Sequence, residues 1–120
     1  MVVTNKDRIA IRSAVELQLE AFQRDDAIAA FAYASPQIQA MFNCPKTFME
    51  MVKRGYCPVY RPRAVIFEDI SIIQGNVTQM LLLLGPDGVP VRALYIMEQQ
   101  SDNFWKISGC FLVPTEAEII

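Results

Sequence analysis

Histidine is missing altogether from this chain. Its absence excludes histidine-based triads, imidazole general bases and the common zinc sites. Any acid–base chemistry is left to carboxylates, tyrosines, lysines and cysteines. Cysteine is scarce as well: three residues, an odd number, fit reduced thiols better than a disulfide frame. No apolar run approaches the ~20 residues that span a bilayer. The segment Asn5-Lys6-Asp7-Arg8 leads straight into a charged helix with no secretory core before it, so a cytoplasmic protein without membrane attachment is expected. Positive charge is not in excess either. Net charge is −2 and the pI is near 5.0, which argues against a general nucleic-acid binder.

Apolar surface is abundant, at 52% of 120 residues. A single domain over residues 1–120 is expected, long enough to bury about two-thirds of the surface of its unfolded chain. The stretch Val77-Thr-Gln-Met-Leu-Leu-Leu-Leu84 organises the rest. Strands with one wet face alternate apolar and polar residues, whereas a continuous apolar run points to cover on both faces. Helices of the same chain can supply one cover, and a second copy of the chain the other. A homodimer through the sheet face is therefore expected.

Before that strand the apolar period is helical. Thr4 followed by Asp7 has the spacing of a capping box, and Ile11, Val15, Leu19 and Phe22 line one face of a helix to about Arg24. Asp25-Asp26 can cap a second helix, Ala27 to about Tyr33. Ser35-Pro36 ends it and opens a further turn with Ile38, Met41 and Phe42 facing inward. Cys44-Pro45 opens another helix to about Arg54, burying Phe48, Met49 and Val52. The helices thus occupy about 6–54. An antiparallel meander of four strands follows over about 59–113, with a short tail beyond Pro114. In the first strand, strict alternation groups Ala64, Ile66, Ile70 and Ile72 opposite Val65 and Phe67. In the third, Val91, Ala93, Tyr95 and Met97 oppose Leu94 and Ile96. The fourth puts Trp105, Ile107 and Phe111 together. Helices first and an antiparallel sheet after is the α+β class.

Several phrases resemble one family: Ala21-Phe22 before Asp25-Asp26, Phe31-Ala-Tyr-Ala-Ser-Pro36, Phe48-Met-Glu-Met-Val52, Val59-Tyr-Arg-Pro62 and Trp105-Lys-Ile-Ser-Gly-Cys110. Together they are similar to the bacterial domain of unknown function 4864 family over nearly the whole chain. No activity, cofactor or catalytic residue comes with that resemblance. More distantly, the layout resembles the nuclear transport factor 2-like (SnoaL-like, cystatin-like) cone, which implies dimers joined through the sheet and either isomerase-type chemistry or simple binding. Fold alone does not choose between these.

Candidate binding residues are Tyr33, Tyr56, Tyr60, Arg61, Arg63 and Tyr95. The segment Lys53 to Arg63 holds four cations and no acid, so Arg61 and Arg63 could grip an anionic ligand beside Tyr56 and Tyr60. A helix C-terminus running into a solvated loop explains the same charges. Tyr33, Tyr60 and Tyr95 could offer phenols to a ligand, or be core residues with bonded hydroxyls. Asp25, Asp26 and Glu98 are candidate pocket carboxylates for an isomerase or dehydratase. Asp25-Asp26 reads equally as a cap, and Glu98 with Arg92 as a surface pair. Cys110 reads as a buried inert thiol. No cofactor or metal is implied. The reading that follows is a homodimer binding a small apolar or anionic ligand without catalysis, against an enzyme with a pocket carboxylate and tyrosine, or a protein-interaction module.

Overall fold

The computed structural model describes residues 2–115. Helix α1 (Asn5–Gln23) starts at a reciprocal cap. The Asp7 amide donates to the Thr4 hydroxyl at 3.1 Å, and the Thr4 amide donates to the Asp7 carboxylate at 3.0 Å. Two amides that the helix leaves orphaned are satisfied in this way. Ile11, Val15 and Phe22 recur at helical spacing and are fully enclosed, at no more than 1% exposure. At the far end the Asp26 amide reaches the Ala21 carbonyl at 2.8 Å and the Asp25 amide reaches Phe22 at 3.1 Å. Asp25 itself is left-handed, at φ 55°. This is a Schellman closure with aspartate where glycine is usual.

Helices α2 (Ala27–Ala32), α3 (Pro36–Phe42) and α4 (Pro45–Gly55) follow. Asp26 caps α2 by accepting from the Ala29 amide, and Ser35 caps α3 by accepting from Ile38. Cys57–Tyr60 then forms a helical turn, α5, where the start of a strand was expected at Val59. Pro58 presets a helical φ in its first turn, and Val59 is buried as part of that turn.

Strands β1 (Ala64–Ile73), β2 (Asn76–Leu84), β3 (Pro90–Gln99) and β4 (Trp105–Pro114) form one antiparallel sheet in the order β1-β2-β3-β4. The fold is α+β. Gln74 and Gly75 connect β1 to β2 with φ of 51° and 80°, a two-residue hairpin whose twist suits the flanking strands. All helices lie on one face of the sheet. There Val77, Leu81 and Leu83 of β2 sit beside Ala93, Tyr95 and Met97 of β3, all at 4% exposure or less. Each large side chain so enclosed contributes about 1.5–3 kcal/mol. On the other face Met80, Leu82 and Leu84 are half-buried, and no element among the described residues covers them. The shortest dimension, 22 Å, matches two layers of about 10 Å each.

Two expected groupings are corrected by β-bulges in the edge strands. Glu68 and Asp69 together oppose Met80, so the alternation of β1 reverses beyond them. Ile70 therefore packs on the core with Val65 and Phe67, while Ile66 lies on the open face at 56% exposure. In β4 an extra residue at Ser108 reverses the pattern again. Trp105 and Ile107 point inward, and past the bulge Cys110 and Leu112 take the inward positions. Phe111 lies on the opposite face, 61% exposed, and not with Trp105 and Ile107. One inserted residue moves every later side chain to the other face. Met41, expected inward, is exposed at 68%: it lies in the last turn of the short helix α3, at the open rim of the space between helices and sheet. Of the expected tail only Thr115 falls within the described residues; the rest lies outside them.

Candidate functional site

Between the helices and the β4 side of the sheet lies a cavity of about 310 Å³. Its floor is Tyr95 on β3 with Ile107 to Phe111 on β4, and Gln18 and Phe22 of α1 form a wall. The helical residues Ile38, Met41, Phe42, Phe48, Met51 and Val52 complete it with Tyr56 and Val59. The aromatic side is continuous: Phe48 stands 6.2 Å from Phe22, 5.7 Å from Phe42 and 5.4 Å from Phe31, ring centre to ring centre. Such tilted pairs add to simple area burial. None of the lining residues carries a charge.

Polar groups in this cavity are few. The Tyr56 hydroxyl donates to the Cys110 carbonyl at 3.1 Å, and the Ser108 hydroxyl to the Ile96 carbonyl at 3.3 Å. Gln18, only 3% exposed, donates its amide to the Ala30 carbonyl at 3.1 Å. The Tyr95 hydroxyl differs from these, being buried with no hydrogen-bond partner among the described residues. The Cys110 thiol lies beside it, close enough to influence its titration but short of a regular hydrogen bond. Burial pushes the Tyr95 phenol well above its ordinary value of 10, with Cys110 adding to the effect. Burial likewise pushes the Cys110 thiol up to about 12 and raises Tyr56. All three groups are therefore neutral donors at neutral pH.

A second cluster gathers the cations of the Lys53–Arg63 segment. The Arg61 guanidinium donates to an Asp25 carboxylate oxygen at 3.0 Å and to the Phe22 carbonyl at 2.6 Å. The Tyr60 hydroxyl donates to the other Asp25 oxygen, and Lys53 stands 3.9 Å from it. Arg61 also lies over the Tyr60 ring, 4.0 Å from its centre. The hydrogen bond from Tyr60, then the charges of Arg61 and Lys53, hold the Asp25 carboxyl below its usual range. The anion facing this basic segment is thus the chain's own Asp25. The left-handed turn after α1 places it there.

Of the six candidate binding residues, Tyr56 and Tyr95 line the cavity. Tyr60 and Arg61 belong to the Asp25 cluster. Tyr33 caps the end of α2, and its carbonyl accepts from the Ile107 amide; its side chain does not line the cavity. Arg63 is exposed at the entry to β1, its guanidinium near Gly88. The pocket carboxylates expected of an isomerase are not assembled: Asp25 is clamped, Asp26 caps α2, and Glu98 borders a separate cleft with Asp7 and Trp105. Arg92 pairs with Glu68, at 2.7 and 3.1 Å, and not with Glu98. Gln18 was missed. Its signal was a lone amide on the apolar face between Val15 and Phe22.

A family model described as a domain of unknown function, DUF4864, matches residues 4–120. The chain belongs to this family. The match spans both the helices that roof the cavity and the strands that floor it, so the site described above is built wholly from the shared domain. A comparison with curated proteins gives no match. No helix among the described residues is long and apolar enough to cross a membrane.

Proposed function

We propose that this protein is a non-catalytic binding protein, holding one small apolar molecule per chain in the cavity between helices and sheet. The observation that carries this reading is a charge-free, aromatic-lined space of about 310 Å³ bordered by Tyr95, whose buried hydroxyl has no partner among the described residues. Small-molecule sites have this make-up: mostly apolar walls, a few fixed polar groups, and a volume of roughly 300–1,000 Å³. Packed interiors seldom leave such space, and buried hydroxyls seldom go without partners. Chemistry of the isomerase kind needs an ionisable group poised near neutral pH. The cavity offers only phenols and a thiol held neutral.

The same reading makes the protein a homodimer through the open face of the sheet, in the manner of the nuclear transport factor 2-like cone that its layout resembles. Met80, Leu82, Leu84, Leu94 and Ile96 are half-buried there, with Ile66, Phe111 and Val113 exposed around them. The charged pair within this face, Glu68 and Arg92, is internally neutralised. A second copy related by a twofold axis meets that surface with its own apolar residues. Four strands about 4.8 Å apart and about nine residues long present roughly 570 Å² in projection, and more as accessible surface. That is the scale of the ~800 Å² each partner gives to a standard interface.

Binding is tested with the neutral fluorophore N-phenyl-1-naphthylamine. Saturable enhancement with one site per chain is expected, abolished by Met51→Trp, which fills the cavity from its half-buried rim. Enhancement that is absent, or that survives Met51→Trp, refutes the pocket. Association is tested by light scattering, in which the wild type should weigh as two chains and Leu94→Glu as one. A wild-type monomer at micromolar concentration removes the dimer and leaves the pocket untouched.

A further inference from the structure

We infer that the cavity's ligand is a neutral, ring-containing apolar molecule with one carbonyl-type oxygen, seated so that this oxygen accepts from the Tyr95 hydroxyl. The inference rests on the binding-pocket reading and adds the chemical class of the occupant.

Three observations converge on it. Tyr95 lines the cavity, and its hydroxyl is buried with no partner among the described residues. Every other polar side chain of the lining that makes a hydrogen bond already directs it to backbone: Tyr56 to Cys110, Ser108 to Ile96, Gln18 to Ala30. The position beside Tyr95 is taken by Cys110, which stays a protonated thiol and is itself a weak donor. Phenol and thiol are both weak acceptors, so two such adjacent donors in an apolar space favour an acceptor oxygen over a second donor. The walls decide the rest of the molecule. Phe22, Phe42 and Phe48 present tilted rings, so a flat ring system packs against faces and edges together. A carboxylate or phosphate is excluded because no lining residue is cationic, and Arg61 and Lys53 are engaged with Asp25 outside the cavity. An isolated buried anion there would have no counter-charge.

The test uses three probes of matched shape: 2-acetylnaphthalene, 2-ethylnaphthalene and 2-naphthoate. Each is titrated into the intact protein with methionine methyl groups isotope-labelled, Met41 and Met51 reporting from the lining. The ketone should bind about tenfold more tightly than the hydrocarbon, the gain expected when a ligand satisfies an unpartnered buried donor. In Tyr95→Phe the two should bind equally, and the carboxylate should bind at least about tenfold more weakly than the ketone to either protein. Equal binding of ketone and hydrocarbon by the wild type overturns the carbonyl assignment while the pocket stands. So does a preference that persists in Tyr95→Phe, and tightest binding of the carboxylate overturns the neutrality of the ligand. If no probe moves the Met41 and Met51 signals, the pocket reading itself fails. Circular dichroism of Tyr95→Phe confirms that the ring-retaining variant is folded.

Discussion

Removing the Tyr95 hydroxyl while keeping its ring, by Tyr95→Phe, is expected to stabilise the unliganded protein by about 1 kcal/mol. The residue is 1% exposed and its hydroxyl has no partner among the described residues. Burying such a group unpaired costs about 1–3 kcal/mol in mutational data. The neighbouring Cys110 thiol recovers only part of this, since sulfur is a weak partner. Phenylalanine keeps the contacts of the ring with the core and opens no space larger than one oxygen, so the cavity penalty is small. A gain of about 1 kcal/mol raises the melting midpoint of a domain this size by roughly 3–6 °C. With an m-value near 2 kcal/mol/M, it moves the urea midpoint up by about 0.5 M at unchanged slope. Urea unfolding of both proteins, purified by refolding to strip any bound molecule, reads the difference. A midpoint that is unchanged or lowered would show that the hydroxyl is already satisfied within the protein. The reasoning that makes it a waiting donor would then collapse.

The remaining predictions concern other parts of the molecule. Cys44 and Cys57 are exposed whereas the Cys110 sulfur faces the interior, so iodoacetamide at about pH 7.5 should label two thiols quickly and the third only in denaturant. Cys44 should react below the pH usual for a free thiol, because hydrogen bonds from Thr47 favour its thiolate; mass mapping of a pH series reads this. Glu68 is held below its ordinary 4.5 by the Arg92 fork, so its contribution is complete above about that pH and is lost as pH falls through the depressed folded-state value. Glu68→Gln should accordingly lower stability at pH 7 by about 0.5–1 kcal/mol, after discount for a side chain 29% exposed, and the gap from wild type should close in acid. A gap that stays constant with pH would contradict this. Arg61→Ala and Asp25→Asn should each lower the urea midpoint, and the double variant should fall by less than the sum, since both break one cluster. Strict additivity would show that the ion pair and its attendant bonds do not act together.

What could be read from the residues was whatever is written locally. Thr4 and Asp7, Ser35 and Pro36, and the shift from a three-to-four period to alternation all act over a turn or two of chain. They announce the helices and the α+β order. The two bulges leave no such mark. Glu68-Asp69 and Ser108-Gly109 look like ordinary alternating positions, and only pairing with β2 and β3 shows that each edge strand carries one residue too many. Phe111 and Ile66 were misplaced for that reason. The cavity is less legible still, because Gln18, Met51, Tyr95 and Cys110 meet only after helices and strands dozens of residues apart pack together. The basic segment misled in another way: its counter-ion, Asp25, lies 36 positions earlier, brought across by a left-handed turn that aspartate adopts less readily than glycine.

The bulge in β1 has a consequence for how this gene can change over time. Loss of a single codon at Asp69 would restore perfect alternation, and by local pattern alone would look harmless. Paired with β2 it would be harmless: Glu68 alone would then oppose Met80, and Ile70 would keep its inward position opposite Gln79 beside Val65 and Phe67. The same loss at Ser71 would turn Ile72 and Ile73 each to the opposite face, so the bulge is where this strand can shorten by one residue and its regular stretches are where it cannot.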